Sequence, residues 1–212
     1  MTDELVFYTN PMSRGRIVRW MLEEVGVPYR TELLEFGASM KSPSYLAINP
    51  MGKVPAIRHG DIVVTEAAAI CAYLADAFPA AGLAPPVGSA LRGPYYRWLF
   101  FGAGPVEAAA YGKALGFVVP QGREGMVGYG RMGDVLATLE QALSAGDYFV
   151  GNRFSAVDVY LGAQIGWGMH FGTIEKRPVF ERYWERLFAR PAAARARAID
   201  DKLVAERQKP AS

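Results

Sequence analysis

The stretch Asn49-Pro50-Met51-Gly52-Lys53-Val54-Pro55 carries a turn and the mouth of a strand. Asn-Pro and Gly mark the turn. Pro55 has no N–H to give to a ladder, so it belongs at the start of a strand. An X-Pro bond costs only about 0.5–1 kcal/mol in cis, and a cis Val54–Pro55 bond is expected here. It would turn the Val54 N–H and C=O into a cleft, where an extended peptide can pair with them as an added strand. Ten residues on, Thr65-Glu66-Ala67-Ala68-Ala69-Ile70 reads as a helix start. Strand, hairpin and helix start together frame a pocket for a small acidic peptide.

Upstream of this stretch, Leu5-Val6-Phe7-Tyr8 is an apolar run that reads as a buried strand. Residues 9–13 read as a loop. Ile17, Val18, Met21, Leu22 and Val25 recur at helical spacing, and Gly26 ends that helix. Residues 28–34 read as a second strand, which makes a parallel strand–helix–strand unit. Residues 35–48 read as a loop with one short helix from Pro43. Downstream, 54–58 and 62–64 form a hairpin around His59-Gly60-Asp61, and a helix runs from Glu66 to about Phe78.

Residues 79–89 hold three prolines, two glycines and no charge, which reads as a linker. Strand patterns stop there. Helices are expected over 90–111, 123–144, 155–171, 178–190 and 191–207, the last two opened by Pro. The fold class is therefore α/β followed by all-α. The first domain covers 1–80, the linker 81–88, and the helical domain 89–212. Ser155 and Asp158 form a capping box with Asp in place of Glu.

The chain has 212 residues, is 51% hydrophobic and 21% charged, and carries a net charge of +2. That charge argues for neither nucleic-acid nor membrane partners. No uncharged apolar run reaches the ~18 residues that a membrane span needs. The opening Met1-Thr2-Asp3-Glu4 does not read as a secretory leader. A single cysteine, Cys71, forms no internal disulfide, and with two histidines a Cys/His metal site is not expected. A cytoplasmic location follows from these expectations. Cys71 itself sits mid-helix among apolar residues and reads as core.

The 49–55 stretch resembles the glutathione transferase family, whose signature is Asn-Pro-x-Gly-x-Val-Pro followed by a Glu/Gln-Ser helix start. The first part matches fully. In the second, Ala67 stands where the family has Ser. Gly151, Phe154 and the Ser155/Asp158 box match the family's second domain. The resemblance implies a thioredoxin-like domain followed by an all-helical domain. It also implies glutathione as co-substrate, no metal, and a homodimer.

On this resemblance Val54 would bind the cysteinyl backbone of glutathione, and Glu66 would accept the γ-glutamyl ammonium. The N–H of Ala67 and its helix start would hold the γ-glutamyl carboxylate. Lys53 and Lys41 would meet the glycyl carboxylate. The glutathione thiol has a pKa near 8.5, so only a few per cent is thiolate at pH 7. Residues 13–16 offer the means to lower it: a hydroxyl at Ser13, a helix N-terminus, and the charges of Arg14 and Arg16. Serine-type members use a Ser at such a helix start, which points to Ser13 as the thiol-activating residue. Two rivals remain open. Asn10 lies in a loop where some bacterial members use Asn or Thr. Tyr8 precedes an Arg14-Gly15-Arg16 pattern seen in tyrosine-type members, with two extra residues between.

The electrophile would bind between domains, with Met12, Phe100, Phe101, Tyr111, Phe117, Trp167 and Met169 as candidates. The Gly-rich segments 102–104 and 122–130 would form a mobile rim. The activity implied is transfer of glutathione to a small electrophile, in detoxification. A non-catalytic binding or regulatory protein, and a glutathione-dependent isomerase or peroxidase, are the alternatives.

Overall fold

The computed structural model describes residues 4–207. Residues 1–3, on which the reading of the N-terminus rests, and residues 208–212 lie outside the described part. The described residues divide into two compact units: 4–81 with 190–207, and Gly82–Ala189.

The first unit is built on a four-stranded sheet in the order β2-β1-β3-β4. Strand β1 (Leu5–Thr9) is buried at every position, as a continuous apolar run in a covered sheet should be. Helix α1 (Gly15–Val25) buries Ile17, Val18, Met21 and Leu22 and stops at Gly26, whose φ of 74° lets its N–H reach the Leu22 carbonyl. Strand β2 (Arg30–Leu33) then pairs parallel to β1. The short helix α2 (Pro43–Leu46) opens with Pro43 and is capped by the Ser42 hydroxyl. Strands β3 (Ala56–His59) and β4 (Ile62–Thr65) form the expected antiparallel hairpin, and β3 also pairs antiparallel to β1. Helix α3 (Ala67–Ala77) packs on α1 and buries Ile70, Cys71 and Leu74. The Cys71 thiol is raised by burial alone, as suits a core residue.

The thioredoxin-like sheet in the first part of the chain and the helical architecture that follows it in sequence match the sequence expectation. One face of the sheet carries Val6, Tyr8 and Ala56 against Met40 and Tyr45. Phe7 and Ile57, alternating with them, point to the other face.

The second unit is helical. The run expected as one helix over 90–111 is α4 (Arg92–Phe101), a π-helical segment (Gly102–Val106) and α5 (Glu107–Ala114). Pro105 has no N–H, and a π segment is one way a helix passes such a residue. Residues 102–104, expected as a mobile rim, are thus part of a helix. Helix α6 (Met132–Ala145) starts well after residue 123, because the glycines at 122, 125, 128 and 130 oppose helix. Helix α7 (Ala156–Phe171) is buried almost all round. It packs on α8 (Pro178–Phe188), with Gly166 facing the Trp184 ring so closely that a Cβ would lie 2.4 Å from it.

The capping box is present. Asp158 accepts the Ser155 N–H at 2.8 Å, the Ser155 hydroxyl at 3.1 Å, the Phe149 N–H at 3.3 Å and the Tyr183 hydroxyl at 2.9 Å. Burial still pushes its carboxyl up to about 6. Asp158→Ala should cost about 2–3 kcal/mol in urea unfolding, since it removes a cap and orphans a buried donor.

Helix α9 (Pro191–Arg207) was expected with the helical domain. It packs instead on α1, inside the first unit. Arg19 Nε meets Asp200 Oδ1 at 2.7 Å, with both side chains 2% exposed. Arg19 also donates to the Tyr29 hydroxyl at 3.1 Å and the Thr31 hydroxyl at 3.3 Å, and lies 5.1 Å over the Phe7 ring. Arg190 grips Glu24 with two bonds of 2.7 and 2.8 Å, and Arg195 meets Glu23 at 3.0 Å.

Candidate functional site

The strand registers bring the singled-out residues to one end of the sheet. Tyr8 stands opposite Ala56, and Ala56 opposite Thr65. The end of β1, the start of β3 and the end of β4 therefore meet. From that edge the chain runs into α1, back through the 49–55 stretch, and into α3.

The 49–55 stretch is braced from below. Gly52 N–H donates to the Asn49 carbonyl at 2.8 Å, closing a turn. The Asn49 side chain accepts from Met51 N–H at 3.1 Å and donates to the Lys53 carbonyl at 2.8 Å. The Tyr45 hydroxyl holds the same carbonyl at 2.6 Å. Lys41 Nζ donates to the Met51 carbonyl at 2.8 Å, so Lys41 closes the turn from above while two of its protons stay available. Gly52 has φ +57°, and a Cβ there would lie 2.6 Å from the Met40 carbonyl. The Val54–Pro55 bond is cis, as expected. The Val54 side chain packs on the Tyr8–Tyr45 cluster, while its N–H and C=O form no hydrogen bond among the described residues. The Lys53 side chain likewise has no partner there.

Glu66 stands at the cap position of α3 with φ +66° and ψ 119°, and its side chain caps nothing. A left-handed conformation at a non-glycine residue costs of order 1–3 kcal/mol, and such residues cluster at functional sites. The exposed Glu66 carboxylate has no partner among the described residues. The first N–H groups of α3, beginning with buried Ala67, have no side-chain cap. An uncapped helix start favours a carboxylate.

Ser13 lies just ahead of α1, one residue before the cap position held by Arg14. Its hydroxyl still accepts the Gly15 N–H at 2.9 Å, and it donates to the Asn10 carbonyl at 2.7 Å. Gly15 is required there, because a Cβ would lie 1.9 Å from Thr9 Oγ1. Asn10, one rival, is buried: it donates to the Leu34 carbonyl at 2.7 Å and accepts from Met12 N–H at 2.9 Å. Its side chain holds the loop together. Tyr8, the other rival, is buried with its ring 5.7 Å from that of Tyr45. Arg16 is folded back, with Nε on the Pro11 carbonyl at 2.6 Å and Nη1 on Asp201 at 2.8 Å.

Comparison with known proteins agrees with this layout. Residues 12–77 match the model of the glutathione S-transferase N-terminal domain, and 127–191 that of the C-terminal domain. The glutathione S-transferase-like protein tpcF of Aspergillus fumigatus is 30% identical over 208 residues, covering 84% of this chain and 88% of that protein. This chain belongs to the glutathione S-transferase family.

A glutathione transferase of Methylococcus capsulatus superposes with a TM-score of 0.77 at 30% identity, covering 93% of this chain and 98% of that one. A sphingomonad glutathione S-transferase complexed with glutathione gives 0.74 at 28%, covering 92% and 98%. The stringent starvation protein A homolog of Haemophilus ducreyi is 30% identical over 156 residues, covering 72% of this chain and 68% of that protein.

In this family member, Ser13, Lys41, Lys53, Val54, Glu66 and Ala67 all belong to the first unit. Tyr45, which braces the site from below, was missed in the sequence because residues 35–48 carry little periodicity. Of the residues named for a second substrate, Met169 is buried in α7, and the Phe101 ring packs against Trp98 at 5.5 Å. Met12, Phe100, Tyr111 and Phe117 are exposed. Among the described residues, no cluster of His, Cys, Asp and Glu could hold a metal, and no helix is long and apolar enough to cross a membrane.

Proposed function

We propose that this chain is a glutathione transferase that activates the glutathione thiol for attack on a small electrophile. The observation that carries the reading is the Val54 main chain. Among the described residues its N–H and C=O are left without partners, at the sheet end that also carries uncapped α3 and the Glu66 carboxylate, itself without a partner there. Those groups complement glutathione: a peptide backbone for Val54, an ammonium for Glu66, a carboxylate for the start of α3. Lys53 and the spare protons of Lys41 suit the glycyl carboxylate.

Ser13 is the thiol-activating group in this reading. Its hydroxyl can turn from the Asn10 carbonyl to the sulfur. That carbonyl keeps the Ser13 N–H, at 3.1 Å, so the turn sacrifices one hydrogen bond worth about 0.5–1.5 kcal/mol. Meanwhile the Gly15 N–H still donates to Ser13 Oγ and polarises the hydroxyl. A hydrogen bond to a thiolate favours the charged form and lowers the thiol pKa. Arg16 is engaged elsewhere, on the Pro11 carbonyl and Asp201, so the Ser13 hydroxyl is the donor assigned to the sulfur.

Calorimetric titration with glutathione tests the binding. Wild type should bind. Glu66→Gln should weaken binding about 10- to 150-fold, the worth of a hydrogen bond to a charged group. No binding by wild type, or a loss below about 0.5 kcal/mol in the variant, the range of ordinary surface changes, would sink this site. Ala67 favours a second reading: without the family's Ser hydroxyl, the chain could bind glutathione weakly and act as a non-catalytic member. Binding without turnover would select that reading. Detoxification, a cytoplasmic homodimer and a small electrophilic substrate belong to the transferase reading by family resemblance.

A further inference from the structure

We propose that Asp201, on the C-terminal helix α9, is a positioning residue for the thiol site. It holds the Arg16 guanidinium, and Arg16 in turn fixes the loop that presents Ser13. The inference rests on the reading that Ser13 activates the thiol.

Besides the bonds that Ser13 makes with Asn10, Gly15 and the Arg16 N–H, two other side chains clamp residues 10–13. The first is the buried Asn10 amide, which ties the loop to Leu34 and Met12. The second is Arg16. Its Nε donates to the Pro11 carbonyl at 2.6 Å, and no other donor reaches that carbonyl among the described residues. Pro11 is buried, so leaving the carbonyl unmet would be costly.

Arg16 is the weaker clamp. Its side chain is 28% exposed, and a long flexible side chain on one neutral carbonyl is free to leave it. Asp201 Oδ1 takes a second N–H of the same fork, at 2.8 Å. A guanidinium held at two points keeps its plane, and the bond to Asp201 pairs it with an opposite charge as well. Asp201 reaches Arg16 because its neighbour Asp200 is anchored in the core by Arg19. Arg197, one turn earlier on α9, also feels the Asp201 charge. In this way the last helix of the chain reaches the loop that carries Ser13.

A simpler role for Asp201 would be to neutralise a cation in the first turn of α1, where the helix dipole disfavours it. The two roles have opposite consequences. If Asp201 only neutralises, its removal exposes positive charge near the sulfur and lowers the thiol pKa. If it positions Ser13, its removal loosens the donor and raises the thiol pKa.

The test uses the full chain with glutathione and chlorodinitrobenzene. Asp201→Asn, Asp201→Glu, Arg16→Lys and the control Lys202→Ala are each measured with and without Ser13→Ala. Turnover, glutathione affinity and the ultraviolet titration of the bound thiol are recorded. Asp201→Asn should lower kcat about twofold to fivefold, the size of one exposed ion pair, raise the thiol pKa, and leave affinity unchanged. Arg16→Lys keeps the charge but not the fork and should repeat that loss. Asp201→Glu should restore activity, and Lys202→Ala should match wild type. In the Ser13→Ala background Asp201→Asn should add nothing.

An unchanged kcat in Asp201→Asn, a lowered thiol pKa, or an equal loss in the Ser13→Ala background overturns the inference while Ser13 keeps its role. If Ser13→Ala itself leaves turnover intact, the role of Ser13 fails and the inference falls with it.

Discussion

Asp200→Ala should cost about 3–5 kcal/mol in urea unfolding, the usual penalty for leaving one charge of a buried pair uncompensated. Asp200 and Arg19 are each only 2% exposed, and they meet at 2.7 Å. Burial pushes the Asp200 carboxyl up and Arg19 opposes that push. Without the carboxylate, Arg19 keeps the Tyr29 and Thr31 hydroxyls as partners, but among the described residues its charge has no counter-ion within hydrogen-bond reach. The guanidinium cannot easily escape, because Phe7 lies beneath it and α9 above. Replacing both partners should undo most of the loss. Arg19→Met with Asp200→Leu removes both charges, and such exchanges are often neutral or stabilising. A double variant as unstable as Asp200→Ala would mean that the cost lies in packing rather than in the buried charge.

Gly52→Ala should be the most damaging single-methyl change in the 49–55 stretch. A non-glycine residue in the left-handed region costs roughly 1–2 kcal/mol. Here the new Cβ would also lie 2.6 Å from the Met40 carbonyl and 2.8 Å from Lys41 Nζ. The lysine can move, but the carbonyl is backbone, and over-packing of this kind adds about 1–3 kcal/mol. The total is roughly 2–5 kcal/mol. If the loop shifts to relieve the contact, it carries Lys53 and Val54 with it, so glutathione binding should fall sharply. Gly26→Ala is the control. Gly26 has φ +74° but nothing within 4 Å of a Cβ, so it should show only the conformational cost and bind glutathione normally. Equal effects at the two glycines would contradict the close approach at Gly52.

What could be read from the sequence was what local chemistry dictates. The 49–55 turn, the cis Val54–Pro55 bond, the hairpin and the Ser155/Asp158 box each rest on residues within a few positions of one another. Long-range partners were not legible. Nothing in the apolar pattern of 191–207 says that α9 packs on α1, because Arg19 and Asp200 are 181 positions apart. Arg16 read as a charge offered to the thiol for the same reason: its partner Asp201 lies 185 positions away. Ser13 read as a hydroxyl at the helix start; it lies one residue before the cap position, donating to the Asn10 carbonyl and accepting the Gly15 N–H. The left-handed Glu66 gave no signal, because glutamate is not a residue that turn chemistry marks. The π segment at 102–106 was hidden in what read as one helix.

The most direct measurement is the ultraviolet absorbance of the glutathione thiolate on the protein, titrated from acid to alkaline pH. In wild type the bound thiol should titrate at least about one unit below the free value near 8.5. Ser13→Ala should move it back by about one to two units, as expected from losing a hydrogen bond to a charged group, with glutathione still bound. A wild-type thiol that titrates at or above its free value, or one that Ser13→Ala leaves unshifted, would contradict thiol activation by this site.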